Sequence, residues 1–352
     1  MEAEADVQVQ RRRTPLWLDL TLFGVIGAVL LGALYAGAVA LYRELYSPTA
    51  FVERYLSLLV DGDAARALAV PGVTVDSADL DAADLPAQAS DALLRSAALS
   101  PLSDVEVVSE NTEGDITTVT VSYRAGAYVG TTSFEVVGNG WIGVAPAWRF
   151  AQSPLAVIDL VVKGSTDFDV NGFTIDKRQI DPEGVAEDPL TPLPLLVFSP
   201  GLYSVSVDNA IARTPGVAVL SDSPFAEVPV QVQAQPTDEF VALVQSRVTE
   251  FLAECATQQV LQPTGCPFGY VVQDRIGSPP EWTISTQPEV VLTPDGDAWR
   301  IAPTVAAARI RVDIVSLFDG SVRPVDEDVR FEVSGTVTVL PDGSASIIVS
   351  GA

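Results

Sequence analysis

The sequence predicts one N-terminal transmembrane helix followed by an outer region of α+β and β structure. Three observations support this fold class. Residues 20–42 form an apolar run without a charge, the hydrophobic period after it switches between 3.6 and 2 residues, and the chain of 352 residues is long enough for two or three domains. Helices followed by a run of antiparallel strands are typical of the α+β class.

The composition excludes several classes of function. A net charge of -26, from 20 Lys and Arg against 46 Asp and Glu, repels phosphates, so we expect no nucleic acid partner. With no histidine and two cysteines, the chain lacks the commonest general base and the ligands of most zinc and iron–sulfur sites. We therefore expect no cofactor, no metal and no catalytic residue. A carboxylate-based hydrolase stays a remote alternative because two carboxylates suffice for a glycosidase.

The apolar run Leu20–Tyr42 has the length of a transmembrane helix. As a helix it reaches about 34 Å, enough to cross a hydrocarbon core of about 30 Å. Arg11–Arg13 precede it and Arg43 alone follows, so the positive-inside rule predicts a single-pass cell-membrane protein with a cytoplasmic N-terminus and an extracellular bulk. Ala38-Val39-Ala40 also resembles a signal-peptide cleavage site, but the apolar core exceeds the usual length of about 7–15 residues.

Small residues recur every four positions along this helix. This spacing forms a ridge on which another helix can approach closely, so a helix–helix contact is predicted at Gly24, Ala28, Gly32, Ala36 and Ala40. The alternative is that Gly and Ala are simply frequent in membrane helices. The ridge does not distinguish a homo-oligomer from a contact with another envelope protein.

The outer region divides where the hydrophobic period changes. Of the charges, three basic and four acidic residues precede Arg43, so the outer region is near -25. Such a charge keeps a domain soluble and lowers its attraction to anionic lipid. The predicted segments are a cytoplasmic tail (1–16), the transmembrane helix (17–46), a first α+β domain (47–152), a small β-domain (153–236) and a second α+β domain (237–352).

Within the first α+β domain, Ser47-Pro48 predicts a helix start and residues 61–63 predict its end. Thr74–Gln88 is acidic and predicts a loop. Short helices are predicted at Ala64–Ala69 and around Ser90–Ala97, and strands at Val105–Glu110, Ile116–Arg124, Tyr128–Val137 and Trp148–Ala151.

The β-domain lacks a convincing helical pattern, and the helical period returns from Thr237 to about Gln258. Residues 181–194 predict a loop. Strands are predicted at Val157–Val162, 167–175 as a hairpin, Leu195–Phe198, Tyr203–Val207, Val217–Leu220, Val228–Gln233, Trp282–Ser285, Val290–Thr293, Trp299–Ala302, Ala307–Ser316, Val329–Leu340 and Ser344–Ser350.

Cys255 and Cys266 lie on either side of a turn-rich segment. Outside the membrane such a pair predicts a disulfide, which ties the end of the second long helix to the loop after it. A redox-active pair is the alternative, but it usually has Cys-x-x-Cys spacing and a helix N-terminus.

Acidic residues recur in three places that a cation site would use. Asp167, Asp169 and Asn171-Gly172 match the start of a calcium loop, but Arg178 stands where a bidentate Glu is needed, and the alternation around Asn-Gly favours a hairpin. The other runs are typical of solvated loop faces, with a weak cation contact as the alternative: Asp79, Asp81 and Asp84, and Asp326-Glu327-Asp328.

A short repeat carries a family resemblance. Ala147-Trp148-Arg149-Phe150-Ala151 and Ala298-Trp299-Arg300-Ile301-Ala302 match at four of five positions, and 295–301 is similar to the Trp-Arg strand of the nuclear-transport-factor-like fold. The resemblance implies two cystatin-like, or cone, α+β units flanking the small all-β domain. The whole arrangement resembles actinobacterial-type single-pass envelope proteins of Gram-positive bacteria, among them teicoplanin-resistance-associated membrane proteins and inner-membrane conjugation subunits.

These observations predict a non-catalytic role at the membrane. We expect an anchored extracytoplasmic scaffold that contacts other envelope proteins through its membrane helix and outer domains. A ligand-sensing accessory that binds a cell-wall or glycopeptide-like molecule in a cone pocket is the alternative. An open apolar pocket in either unit would favour this second function.

Overall fold

The structure is a computed structural model, and its described residues are 16–143, 145–181, 183–184, 188, 190–296, 298–339 and 345–351. The predicted cytoplasmic tail, with Arg11–Arg13, lies outside the described residues apart from Leu16. The described chain begins with one long helix, α1 (Leu16–Tyr46), and continues into a body made mostly of β-sheets. An N-terminal apolar helix joined to a multi-sheet body agrees with the predicted fold class at that level.

The first outer segment packs short helices against an antiparallel meander with the order β1-β2-β3-β4. Its helices are α2 (Pro48–Val60), α3 (Ala64–Leu68), α4 (Ser77–Ala82) and a 3-10 turn (Ser96–Ala98). Its strands are β1 (Leu102–Glu113), β2 (Ile116–Ala125), β3 (Tyr128–Ile142) and β4 (Ala145–Phe150).

Local capping explains where the first helices begin and end. The Ser47 side chain accepts a hydrogen bond from the Ala50 amide at 3.1 Å, and Pro48 opens α2. Gly62 has a φ of 71°, which ends the helix, and Asp63 caps α3 by accepting from the Arg66 amide at 3.0 Å. The predicted start at Ser47-Pro48 and the predicted break are confirmed.

Two predictions in this segment are wrong. The predicted loop Thr74–Gln88 contains α4, because Asp76 and Asp79 form a reciprocal capping box around its first turn. The helix predicted around Ser90–Ala97 is reduced to one 3-10 turn, because Ser90 forms a bridge with Leu195 instead. The backbone of Ser90 is therefore engaged by the neighbouring sheet.

The middle segment forms three small sheets. The orders are β12-β5-β8, with β12 parallel to β5, then β11-β9-β6-β7, and the pair β10-β13. Its elements are β5 (Leu155–Lys163), β6 (Asp167–Val170), β7 (Phe173–Asp176), α5 (Lys177–Ile180), β8 (Leu193–Phe198), β9 (Gly201–Ser206), β10 (Ala212–Arg213), β11 (Val217–Ser221), β12 (Glu227–Gln233) and β13 (Gln235–Pro236).

The last segment packs α6 (Asp238–Ala256) against a six-stranded sheet. Along one edge β17 pairs with β18, and along the other it pairs in turn with β16, β15 and β14. The strands are β14 (Arg275–Ile276), β15 (Glu281–Thr286), β16 (Leu292–Asp295), β17 (Ala298–Val315), β18 (Val322–Val339) and β19 (Ala345–Gly351). The two strands predicted between Trp299 and Ser316 are one strand, because a register shift between Ile301 and Thr304 absorbs Pro303 without ending the ladder.

Two hydrophobic cores share the central strands. Ile158 and Leu160 of β5 face the larger core, which includes α6, whereas Leu155 and Val157 face the smaller core, which includes α2. Strand β8 alternates in the same way, with Leu195 on one side. Since a strand buried on both faces contributes to both cores, the three outer segments pack through one shared sheet.

Candidate functional site

Helix α1 has the properties of a membrane span. Its window Leu20–Gly37 has a mean hydropathy of 2.0, and none of these residues is buried in the structure. Phe23, Leu31 and Tyr35 are each at least 70% exposed. Apolar side chains around a whole helix require a nonpolar environment, and α1 is long enough to cross a bilayer. An uncleaved anchor and a signal sequence both contain a helix of this kind.

The predicted helix–helix contact residues all lie on α1 and are exposed: Gly24, Ala28, Gly32, Ala36 and Ala40. A side chain added at Gly24 or Gly32 would meet no atom within 4 Å. Rows of residues four apart are inclined to the helix axis, so a second helix that followed this ridge would cross α1 at an angle of roughly 40°. Around Gly24 and Gly32, no described residue outside α1 covers the ridge.

One residue separates the apolar helix from the outer body. Ser47 lies between α1 and α2, and its side chain caps α2. The indole nitrogen of Trp148 on β4 donates a hydrogen bond to the carbonyl oxygen of Tyr46 at 2.9 Å. The last carbonyls of a helix lack intrahelical partners, so this bond satisfies one of them and fastens the first sheet to the end of α1.

Further contacts lie on either side of this junction. The rings of Tyr42 and Tyr46 lie 5.5 Å apart between centroids on one face of α1, and the Thr49 hydroxyl hydrogen-bonds to the Glu110 carboxylate of β1. We call the space between α1 and the first unit the anchor cavity, and its volume is about 1140 Å³. Its lining includes Ala36, Val39, Ala40, Glu53, Pro146 and Trp148.

A second cavity of about 520 Å³, here called the hairpin cavity, opens between α2 and the hairpin formed by β3 and β4. Its lining is mostly apolar and includes Phe51, Leu58, Val70, Ile142, Pro146 and Trp148. Beneath it, the interior of the unit is filled by the packed rings of Phe51, Tyr55, Phe134 and Phe150. The open space therefore lies at the edge of the unit and not in its centre.

The end of the β3–β4 hairpin is a surface that the sequence reasoning missed. Trp141 is 70% exposed and Ile142 is 77% exposed. The prediction ended the strand at Val137, because Gly138, Asn139 and Gly140 are typical of turns. One signal was available: residues 136–148 carry no charge in a chain with a net charge of -26.

Cys255 and Cys266 form a disulfide with a Cα–Cα distance of 5.8 Å, in agreement with the prediction. Cys255 lies in the last turn of α6, and Cys266 lies in the following loop. In the same loop Phe268 is buried, with its ring 4.9 Å from that of Trp282. The disulfide thus holds the loop where Phe268 fills the core, which is a structural task.

The calcium-loop match is a β-hairpin. Strands β6 and β7 pair around Asn171 and Gly172, whose φ angles of 52° and 84° are those of a type I′ turn. The side-chain nitrogen of Asn171 donates to the carbonyls of Ala98 and Leu202. Its side-chain oxygen accepts from the backbone amide of Ser204 at 2.9 Å. A cation would compete with the Ser204 amide for the Asn171 side-chain oxygen.

Two carboxylates of this hairpin, Asp167 and Asp176, have pKa values that shift in opposite directions. Burial and the neighbouring Asp176 raise the pKa of Asp167, and the hydrogen-bonded guanidinium of Arg178 lowers the pKa of Asp176. The pKa values of Asp167 and Asp176 therefore shift in opposite directions, although the two residues face each other across one small sheet. Arg178, which stands where a calcium loop needs Glu, neutralises Asp176 at 2.6 Å.

Neither of the other acidic runs forms the predicted loop face. Asp79 and Asp81 lie in α4, with Asp84 just after it, and Asp326-Glu327-Asp328 lies on β18. The strand tolerates these acids because Arg309 of β17 bonds to Asp326 at 2.5 Å and Arg311 lies 3.4 Å from it. The Arg309 hydrogen bond lowers the pKa of Asp326.

Among the described residues, no group of three or more Asp, Glu or Cys side chains is placed to hold a metal ion. The features that stand out are therefore the exposed apolar helix, the junction at Ser47, the two adjoining cavities and the hairpin end. No protein family, curated protein or solved structure shows a match to this chain.

Proposed function

We propose that the chain is a membrane-anchored extracytoplasmic scaffold, a non-catalytic subunit or accessory of a cell-envelope complex. The observation that carries this proposal is the exposed apolar helix α1, which continues through Ser47 into a folded, acidic body. A helix of this kind needs lipid around it, and the body beyond it has the charge of a soluble domain.

The proposed topology is single-pass, with the N-terminus in the cytoplasm and the bulk outside. Arg11–Arg13 support this orientation, and the Cys255–Cys266 disulfide suits an oxidising compartment. Protease added to intact spheroplasts should digest the outer region and spare an N-terminal tag. Protection of the outer region, or an N-terminus that begins after Ala40 in the mature protein, would overturn the anchored topology.

The outer region is proposed to consist of two cone-like α+β units around the small β-domain. In support, α2 covers a four-stranded sheet in the first unit, and α6 covers the sheet around β17 in the last. Both Trp-Arg segments lie on strands, with Phe150 and Ile301 buried and Arg149 and Arg300 exposed. The strand orders differ, because the first sheet is a meander and β17 in the last is paired along both edges.

Assembly is proposed to use the small-residue ridge of α1. Gly32→Leu places a bulky side chain on the ridge, and Gly27→Leu, about 140° around the helix, is the matched control. In mild detergent the wild type and the control should migrate as an assembly or with partners, and Gly32→Leu should dissociate. Migration of the wild type as a lone monomer would refute the assembly.

A second function is favoured by one observation, the apolar hairpin cavity. A ligand-binding accessory for a cell-wall or glycopeptide-like molecule would need such a space at the edge of a unit. Full-length protein in nanodiscs should then bind soluble peptidoglycan fragments, and Leu58→Trp, which fills the cavity, should abolish binding. The exposed Val129→Trp serves as the control.

A further inference from the structure

The end of the β3–β4 hairpin is an unusual surface for an acidic protein. Residues 136–148 carry no charged side chain, and two large apolar side chains among them, Trp141 and Ile142, are 70% and 77% exposed. The pair is held in place by the strand ladder, since Trp141 pairs with Pro146 and Ile142 pairs with Ala145. We call Trp141 and Ile142 the hairpin tip. An exposed, uncharged and aromatic tip indicates contact with an apolar partner.

The hairpin tip lies beside the apolar helix. Trp148 of β4 is bonded to the end of α1 at Tyr46, and Pro146 lines the anchor cavity together with Ala36 and Ala40. From Trp148 back to Pro146, strand β4 therefore runs along α1 toward the apolar run. At the end of this strand the hairpin tip lies beside Pro146 and Ala145, its partners in the ladder.

The position along α1 sets the depth of this surface. Ala36 lies about 15 Å deeper along the helix axis than Tyr46, at 1.5 Å per residue. When α1 crosses the bilayer, its last turns, with Tyr42 and Tyr46, lie at the lipid headgroups. Trp148 is bonded to Tyr46, and Pro146, the partner of Trp141, is two residues from Trp148 along β4. The hairpin tip therefore lies within about 7 Å of this level, where Trp side chains are most favourable.

We propose that the hairpin tip inserts into the outer headgroup region of the bilayer and holds the first unit against the membrane. The occupant of this surface is lipid, because the tip is continuous with the lipid-facing helix through Tyr46 and Trp148. The net charge near -25 of the outer region disfavours anionic lipid, so the contact is apolar and suits zwitterionic headgroups. This inference rests on the proposed anchoring of α1.

A spin label at Ile142→Cys in full-length protein tests the contact in phosphatidylcholine nanodiscs. The native cysteines are joined in the disulfide, so the added thiol is labelled selectively. The label should be accessible to oxygen, which concentrates in lipid, and shielded several-fold from a water-soluble nickel chelate. Val129→Cys is the control, because Val129 is also exposed on β3, at 66% against 77% for Ile142, but lies about 43 Å along the strand.

Two further labels separate the possible failures. Trp141→Asp combined with the Ile142→Cys label should restore nickel access several-fold, because a carboxylate withdraws the tip from lipid. A label at Val29→Cys reports on α1 itself. Lipid access at position 29 with water access at 142 would overturn the tip insertion alone, and water access at both positions would overturn the anchor. Shielding of position 142 from both reagents would indicate a protein partner and also overturn the inference.

Discussion

The hydroxyl of Tyr55 donates a hydrogen bond to the carbonyl oxygen of Ser199, 144 residues later in the chain, at 3.1 Å. Both residues are fully buried, Tyr55 on α2 and Ser199 after β8. Ser199 also shares a hydroxyl contact with Ser221 of β11. This polar contact inside the smaller core specifies how the first unit docks on the central sheet.

Tyr55→Phe should lower the free energy of unfolding by about 1–3 kcal/mol, because the substitution leaves the buried Ser199 carbonyl without its donor. Packing is preserved, since the ring remains. The measurement is urea-induced unfolding of the protein in detergent. Tyr128→Phe, at an exposed position, is the control and should change the free energy by less than about 0.5 kcal/mol. An equal effect of both variants would contradict the docking role.

Stability should fall in alkaline solution as buried tyrosines ionise. Burial raises the pKa of Tyr55, with a further contribution from Tyr203, and burial also raises the pKa of Tyr203 above its usual value of 10.0. Because the folded-state pKa exceeds the unfolded one, the stabilisation is complete below pH 10 and is lost as pH rises above it. Unfolding temperatures between pH 8 and about pH 11 should therefore decline above pH 10. Tyr55→Phe should reduce the steepness of that decline.

Removing the disulfide should destabilise the last unit. Replacing Cys255 and Cys266 together by Ala should lower the free energy of unfolding by about 3 kcal/mol, from the entropy of the loop that the bond closes. Hydrogen exchange of the Tyr270 amide, which bonds to the Leu261 carbonyl at 2.7 Å, should accelerate. A reductant should reproduce the loss in the wild type and leave the double variant unchanged.

Asn171 should be more sensitive to substitution than a surface turn residue. Asn171→Ala removes three side-chain hydrogen bonds and places a Cβ-bearing residue without side-chain support at a positive φ, so we expect a loss of about 3 kcal/mol. Asn171→Gly relieves the backbone strain but still lacks the three hydrogen bonds, so it should lose about 1–2 kcal/mol. Asn139→Ala on β3 is the control. Equal stability of the Ala and Gly variants would show that the backbone conformation contributes nothing.

Calcium should leave the stability unchanged. The Asn171 oxygen already accepts the Ser204 amide, and Asp169 accepts the Thr174 hydroxyl at 2.5 Å. Thermal unfolding with about 1 mM calcium, a concentration at which extracellular calcium modules are occupied, should match that in chelator. A rise in the unfolding temperature with calcium would indicate that residues 167–172 bind the cation. Asp169→Asn then identifies the ligand.

Local signals explain which elements were predictable. Ser47-Pro48 caps its helix by itself, and Asn171-Gly172 forms its turn from the two residues that tolerate a positive φ, so neither depends on distant parts of the chain. The disulfide was predictable for a similar reason, because Cys255 and Cys266 are close in sequence. The apolar run of α1 was visible from composition and length.

Contacts between distant residues explain the failures. Trp148 and Tyr46 are 102 residues apart, and neither one signals its partner. The acidic run of β18 resembles a loop until Arg309 and Arg311 are known to lie on the neighbouring strand. Strand β17 continues past Pro303 because its partner strands supply pairing that the residue itself cannot. Contacts between distant residues therefore determine where the strands end and which residues join α1 to the outer body.

The lone Ser47 between α1 and α2 joins the apolar helix directly to the outer body, without a flexible linker. A flexible linker lets a domain rotate freely and sample many heights above its membrane. With α1 anchored as proposed, a tilt of the helix, set by bilayer thickness or by a neighbouring helix, would be passed directly to the outer body. Any partner of that body would then meet it at a fixed height and in a fixed orientation, so the thickness of the bilayer would become part of the recognition.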